Sequence, residues 1–240
     1  PLVGFAEADD PLFERFRDQA VIGPHYLTPT EWLPGAKTVI SFFTPYTAEV
    51  RNADRGNFDW PTFQWLHARI DGQKLIGELA VFLQEQLREA GWRALIPGTD
   101  PRFRSVRLPY PDDPAKVYGN SSNWSERHAA FACGLGTFSL NRGLITRRGI
   151  AGRFGSLVTD LTLPPDPRPY GDEPFAYCSR CGVCAKHCPA QAISLTEGKS
   201  NQACAAFLDR VKARHAPYYG CGKCQLDVPC ESGVPPQLPA

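Results

Sequence analysis

The sequence predicts an α+β protein in two parts, a mixed domain over residues 1–165 and a small cysteine-rich domain over residues 166–240. Three observations lead there. In the first part a β-branched and aromatic run gives way to a stretch with three- and four-residue apolar spacing, so strand and helix signals alternate. Eight of the nine cysteines fall between Cys178 and Cys230, while the first 132 residues hold none. Between these compositions lies the stiff segment Leu163-Pro164-Pro165-Asp166-Pro167, which marks the boundary.

The elements follow in order. Residues 36–43, AKTVISFF, come after Pro34-Gly35 and read as a buried strand. Over residues 62–90, Phe63, Leu66, Ile70, Ile76, Leu79, Leu83 and Leu87 recur on one face of one or two helices. Gly91 is a stop signal, and residues 93–97 read as a short strand. Residues 98–120 are rich in proline and charge and predict a long loop; a loop of that length in a compact domain is more often functional than decorative. In residues 123–136, NWSERHAAFACGLG, Ser125 can cap a short helix and Gly134 can end it. Residues 144–146 and 156–163 predict strands on either side of a glycine- and arginine-rich stretch. Residues 191–195 and 202–214 read as short helices between two cysteine groups, a two-cluster, ferredoxin-like plan.

Composition narrows the function classes. Hydrophobic residues make up 42% and charged residues 21%, which describes a globular chain rather than a disordered one. A net charge of +1 gives no electrostatic case for nucleic acid or an anionic membrane. No run of apolar residues is long enough for a membrane-spanning helix. The uneven cysteine distribution argues against a disulfide framework. Clustered thiols persist most easily as metal ligands where they stay reduced, which predicts a cytoplasmic protein.

Cys178-x2-Cys181-x2-Cys184-x3-Cys188-Pro189 is the strongest motif. Three closely spaced thiolates suit three irons of one cubane, and the fourth cysteine turns away to a second cluster. With Cys204, Cys221, Cys224 and Cys230, the crossed arrangement gives Cys178, Cys181, Cys184 and Cys230 to one [4Fe–4S] cluster. Cys188, Cys204, Cys221 and Cys224 go to the other. The Cys224-x5-Cys230 gap is longer than the usual three residues, with Pro229 before the cysteine. Structural zinc is the alternative, since Cys-x2-Cys pairs also build tetrahedral sites. About 165 residues precede the clusters, more than an electron carrier needs, so the first part is expected to hold whatever the clusters reduce.

The segment ERHAAFACGLG at residues 126–136, then Leu144-Ile145 and Gly155-Ser156, then the eight cysteines with Gly220-Cys221-Gly222-Lys223-Cys224-Gln225, together resemble the cobalamin-dependent iron–sulfur reductases. Those are the epoxyqueuosine reductases and, more distantly, the reductive dehalogenases. The resemblance implies a nitroreductase-like α+β core that holds base-off cobalamin, with the nearer of two [4Fe–4S] clusters reducing cobalt. It implies an external low-potential electron donor and a small-molecule substrate. The alternative is a two-cluster electron-transfer or corrinoid-reducing protein that serves a partner enzyme. The resemblance also implies a cofactor set of Asn120, Ser121, Ser122, Glu126, Arg127, His128, Gly134, Leu135, Gly136, Thr137, Leu144, Ile145 and Ser156.

One departure concerns the proton donor. Counting back from Gly134-Leu135-Gly136 places Asn120 where the epoxyqueuosine reductases carry an aspartate, and an amide is no acid. The chain continues only ten residues past Cys230, without the C-terminal helical-repeat domain that could help hold tRNA; with the low net charge, this argues against a tRNA substrate. Proton delivery therefore falls to His128, Tyr118 or water. His128 titrates near neutrality but is equally at home on a helix surface, and Tyr118 can also be a packed loop aromatic. Gly134 and Gly136 allow positive φ and close approach to a flat macrocycle, or simply end a helix. Arg147, Arg148 and Arg153 form a basic cluster suited to phosphate or carboxylate, or to solvent. Cys133 reads as a small buried residue.

Overall fold

The computed structural model describes residues 1–109 and 117–237. The elements in chain order are β1 (Leu2–Glu7), α1 (Pro11–Arg15), α2 (Pro29–Trp32), β2 (Thr38–Pro45), α3 (Ala48–Asn52), α4 (Phe63–Glu89) and β3 (Ala94–Leu95). Then come β4 (Ser105–Pro109), β5 (Val117–Ser122), α5 (Glu126–Ala132), β6 (Gly136–Phe138), β7 (Leu144–Thr146) and β8 (Gly152–Thr159). The cysteine region contributes α6 (Val183–Lys186), β9 (Ile193–Ser194), β10 (Gly198–Lys199) and α7 (Asn201–His215).

A four-stranded antiparallel sheet in the order β1-β2-β8-β3 organises the chain. The apolar run that predicted β2 is buried on both faces, because helices cover both sides of the sheet. Val39 and Phe43 point toward α5 and pack with Ala129, Ala130 and Ala132. Ile40 and Phe42 point the other way, toward Ile76 and Ala80 of α4. Gly155 of β8 lets that helix come close, since a Cβ there would lie 2.5 Å from the Phe42 ring and 2.7 Å from Ile76.

Helix α4 is one helix of 27 residues, started by the Thr62 hydroxyl, which accepts from the Trp65 amide at 3.4 Å. Its buried face differs from the expected one. Phe63 is 58% and Leu79 37% exposed, while Trp65 and Ala80 are buried. A helix this long meets two different partners. Leu66 packs on Phe207 and Val211 of α7, and Trp65 packs on Leu226, before Ile76 and Ala80 reach the sheet. A single apolar stripe could not serve both.

Other expectations also need correction. Residues 98–120 are not one long loop: β4 and β5 form an antiparallel hairpin, Ser105 opposite Ser122 and Val106 opposite Ser121. Prolines and charges masked the short alternating pattern of β4. Residues 191–195 are not helical, because β9 pairs with β10 through Ser194 and Gly198. Strand β8 begins at Gly152, four residues before the expected start, and ends at Thr159.

The proline-rich connector is pinned rather than free. Asp166 accepts from the Phe5 amide at 3.0 Å, and its own amide donates to the Phe5 carbonyl at 2.9 Å, so the connector runs along the outer edge of β1. Beyond it the cysteine region shares its packing with the first part. Ile145 and Ile150 lie in one apolar cluster with Cys184, Ile193 and Val228. Two buried acids add polar stitches. Asp54 pairs with Lys223 at 2.8 Å with side-chain exposures of 0% and 1%, and accepts from the Thr62 amide at 2.8 Å. Glu231 binds Arg51 at 3.1 Å and Arg55 at 2.8 Å.

Removing one partner of a dry ion pair leaves an uncompensated charge, so Asp54→Ala is expected to destabilise the fold by about 3–5 kcal/mol in urea denaturation. Asp59→Ala, at an exposed neighbouring position, is the matched control. Equal unfolding midpoints for the two variants would refute the role assigned to the pair.

Candidate functional site

The eight clustered cysteines gather as two sets. Cys178, Cys181, Cys184 and Cys230 line one cleft, walled by Leu140, Ile145, Val228 and Pro229. Burial pushes the Cys184 and Cys230 thiols up to about 12, and both feel Cys178 and Cys181 as close neighbours. In the second set burial pushes Cys221 up to about 12, with Cys224 and Cys204 adding to it. Cys224 is raised by burial and feels Cys204 and Cys188. Such thiols lose their protons readily only to a metal that replaces the charge. Among the described residues no three His, Cys, Asp or Glu side chains close around a single ion.

A separate cavity of about 810 Å³ is lined by residues of α1, β5, α5 and the turn between β6 and β7. Phe16, Phe103, Phe131, Phe138 and Phe175 supply its apolar wall. Ser105, Ser121, Ser122 and Ser125 contribute hydroxyls. Arg15, Arg127, Arg142 and Lys199 bring positive charge, against Asp172, which pairs with Arg15 at 2.6 Å. Cys224 feels the Lys199 ammonium, and Arg127 feels Cys224, so charge at the cavity reaches the second thiol set electrostatically. A smaller space of about 230 Å³ shares Arg142, Phe175 and Lys199 with the cavity and reaches Cys178.

The turn between β6 and β7 sets this geometry. Asn141 donates to the Cys224 carbonyl at 2.5 Å, and its own Oδ1 accepts from the Ser139 hydroxyl and the Gly143 amide, each at 2.7 Å. Arg142 takes the left-handed conformation at φ 63°, and its carbonyl accepts from Arg127 Nη1 at 2.7 Å. Arg142 is thus a left-handed non-glycine residue that is braced by α5 and lines the cavity.

Helix α5 presents His128 to the cavity between the rings of Phe16, at 4.9 Å, and Phe138, at 4.6 Å. Its Nδ1 meets the Ser125 hydroxyl at 2.8 Å, so Ser125 occupies the cap position but spends its side chain on the histidine rather than on the backbone. Burial, helped by the Arg127 charge, lowers the imidazole to about 3. His128 is therefore neutral at physiological pH, a hydrogen-bonding group rather than a cationic acid.

Of the other expected cofactor residues, Ser121, Ser122 and Arg127 line the cavity. Glu126 turns to the sheet, where its carboxylate accepts from Ser156 at 2.6 Å while Ser156 accepts from Trp124 Nε1 at 3.0 Å. Gly134, at φ 75°, ends α5: its amide donates to Phe131 and the Leu135 amide to Ala130. Gly136 is packed against the Ile145 carbonyl, where no Cβ fits. Leu135, Thr137, Leu144 and Ile145 are buried in the core, and none of these residues faces the cavity. Of the basic cluster, Arg153 turns away from Arg147 and Arg148 to bind Gln73 at 2.9 Å. Tyr118 and Asn120 lie on β5, Asn120 opposite Arg107, and their side chains fall outside the described residues. Sequence reasoning missed Arg15, Phe16, Arg142, Phe175 and Lys199, and also His25, whose Nε2 meets Ser121 Oγ at 2.9 Å. The first residues carry no motif, and only the fold brings them here.

The fold is shared with solved epoxyqueuosine reductases and reductive dehalogenases, and the chain is a distant relative of both. It aligns with the epoxyqueuosine reductase of Bacillus cereus at 26% identity over 84% of this chain and 50% of that protein. It aligns with the trichloroethene reductive dehalogenase of Dehalococcoides mccartyi at 31% over 51% of this chain and 20% of that one. Among solved structures, the epoxyqueuosine reductase of Bacillus subtilis superposes with a TM-score of 0.52 at 21% identity, covering 98% of this chain and 62% of that chain. A reductive dehalogenase described in terms of B12-dependent dehalogenation superposes with a TM-score of 0.54 at 19% identity, over 98% of this chain and 30% of that chain. The chain thus spans about half the length of its first curated relative. No family model matches it. Among the described residues no helix is long and apolar enough to cross a membrane.

Burial raises the Glu126 carboxyl to about 7. Its proton is then held more tightly in the folded chain than in the unfolded one. The resulting stabilisation is full below about pH 4.5 and is lost as pH rises through about 7. Glu126→Gln should therefore raise stability at pH 8 by up to ~3 kcal/mol and flatten the pH dependence between 4.5 and 7, measured by urea denaturation across pH.

Proposed function

We propose that this chain is a corrinoid-dependent iron–sulfur reductase. Residues 166–240 would hold two [4Fe–4S] clusters, and residues 1–165 would supply most of the site for base-off cobalamin and a small-molecule substrate. The observation that carries the reading is the juxtaposition of the second thiol set with the 810 Å³ cavity through Arg127, Lys199 and the turn at Asn141-Arg142. Aromatic walls with a hydroxyl rim suit a flat, apolar ring edged by amides, and the volume lies in the range of cofactor pockets.

Bound there, the corrinoid would supply reduction of a polarised bond in the substrate. The chain's own residues do the rest. Phe16, Phe131 and Phe138 exclude water, Ser121 and Ser122 offer hydrogen bonds, and Arg127 and Arg142 set a positive field. His128, neutral and fixed by Ser125, donates or accepts a hydrogen bond without adding charge. With Asn120 at the position of the relatives' acid, the proton falls to Tyr118 or to water. Cys188, Cys204, Cys221 and Cys224 form the inner set. Cys178, Cys181, Cys184 and Cys230 form the outer one, fed by an external low-potential donor. A reducing compartment such as the cytoplasm suits the eight thiols.

Anaerobic reconstitution with iron, sulfide and cobalamin tests this. About eight irons and one corrinoid per chain are expected, with the optical spectrum of base-off cobalamin. Full iron content without corrinoid binding would overturn it in favour of an electron-transfer protein that serves a partner. Crossed ligation is tested separately. Cys230→Ser and Cys178→Ser should abolish the same cluster signal in electron paramagnetic resonance, and Cys188→Ser the other. Cys178→Ser and Cys188→Ser abolishing one common signal would mean sequential pairing.

A further inference from the structure

We infer that the face over the outer thiol set is the docking site for an acidic protein electron carrier; this rests on the iron–sulfur reading above. Arg147 and Arg148 stand exposed on the turn between β7 and β8. That turn lies flat on the chain after Cys230: the Ile150 amide donates to the Cys230 carbonyl at 2.9 Å, and a Cβ on Gly149, at φ 82°, would strike the Glu231 carbonyl and Ser232. Cys230 lines the cleft of the outer set, and Arg180, exposed between Cys178 and Cys181, lines the same cleft. Its left-handed backbone, φ 52°, is held while its guanidinium donates to the Leu195 carbonyl at 2.7 Å.

Among the described residues none of these three arginines has a carboxylate partner. Glu231 is buried and already bound by Arg51 and Arg55. Glu197 flanks Arg180 in the neighbouring space without pairing with it. Apolar surface accompanies these cations: Leu195, whose carbonyl holds Arg180, is 51% exposed, and Val234, next in sequence to the cleft-lining Pro235, is 41% exposed. Unpaired cations around a small apolar patch fit the small, charge-steered contacts of electron-transfer pairs. The basic cluster noted in the sequence thereby divides: Arg153 belongs to the helix α4 side, and Arg147 and Arg148 belong to this face. Each encounter moves one electron; the carrier is oxidised by one electron, the outer cluster is reduced by one, and no bond or proton is transferred.

The other basic surface, Arg210, Lys212 and Arg214 at the end of α7, is a weaker candidate. Arg210 and Arg214 lie over the Trp60 ring at 5.5 Å and 4.5 Å, and the helix carries Cys204 of the inner set. Nucleic acid is the competing ligand for either surface.

The test uses the full chain reconstituted with iron and sulfide, and oxidised flavodoxin as the acidic probe. Flavin fluorescence anisotropy should show binding that weakens with salt. Arg147→Glu/Arg148→Glu and Arg180→Glu should each weaken it at least ~10-fold at low ionic strength. Reduction by flavodoxin hydroquinone should slow in step, while reduction by photoreduced deazaflavin, which is uncharged, stays unchanged. Unchanged flavodoxin affinity overturns the inference. So does a loss of affinity in Lys212→Glu/Arg214→Glu instead, or binding of a short RNA hairpin at this face in place of flavodoxin. A chain that takes up no iron overturns the underlying reading, and the iron content tells that failure from a failed docking site.

Discussion

The buried contact between Asp54 and Lys223 fixes the relation on which the whole site depends. Lys223 lies between Cys221 and Cys224, and Asp54 lies in the segment that leads into α4. A dry pair of this kind adds little net stability, but it allows one arrangement only, because any shift leaves two buried charges apart. Next to it, Gly222 at φ 75° brings the backbone against the Trp65 ring, where a side chain would not fit. The loop that carries two thiols is thereby registered on the long helix, and the helix is registered on the sheet through Ile76 and Gly155. Misplacement at this point would carry through to both thiol sets.

The electrostatics of the centre follow from what each element can reach. Helix α5 divides its polar residues between two environments. Glu126 faces the sheet and is held toward its neutral form; Arg127 faces the cavity and braces Arg142; His128 is pressed between aromatic rings and held neutral. The charge that remains at the cavity is therefore largely that of arginine and lysine. Lys199 opposes the burial that raises the Cys224 thiol, so the cations of the cavity make it easier for that thiol to carry charge.

How much of this was legible in the sequence depended on whether the signal was local. The run from Cys178 to Cys188 was conspicuous because its intervals are short and regular, whereas the Cys224-x5-Cys230 gap departs from the usual spacing and it is the fold that brings Cys230 to the cleft lined by Cys178, Cys181 and Cys184. Strand β2 and helix α5 were readable from an unbroken apolar run and from a cap-and-glycine frame. The cavity was not, apart from Ser121, Ser122, Arg127 and His128. Its other walls come from α1, the β6–β7 turn and β10, separated by up to most of the chain, and their side chains stand in no recognisable interval. Glycines that resemblance assigned to a cofactor turned out to serve a helix end and a strand contact. In a single sequence, backbone demand and ligand demand leave the same residue behind.

The crossed gathering of thiols also bears on how the first cleft is put together. Cys230 joins Cys178, Cys181 and Cys184 there, yet it is the last of the eight along the chain. The run from Cys178 to Cys184 looks self-sufficient in the sequence, yet its cleft is completed from a segment nearly fifty residues away. That segment is held in place by the turn that carries Arg147 and Arg148, through the Ile150 amide and the Cys230 carbonyl. The fourth wall of the cleft is thus a product of long-range folding, and a change in that turn would reach a cysteine it never touches in sequence.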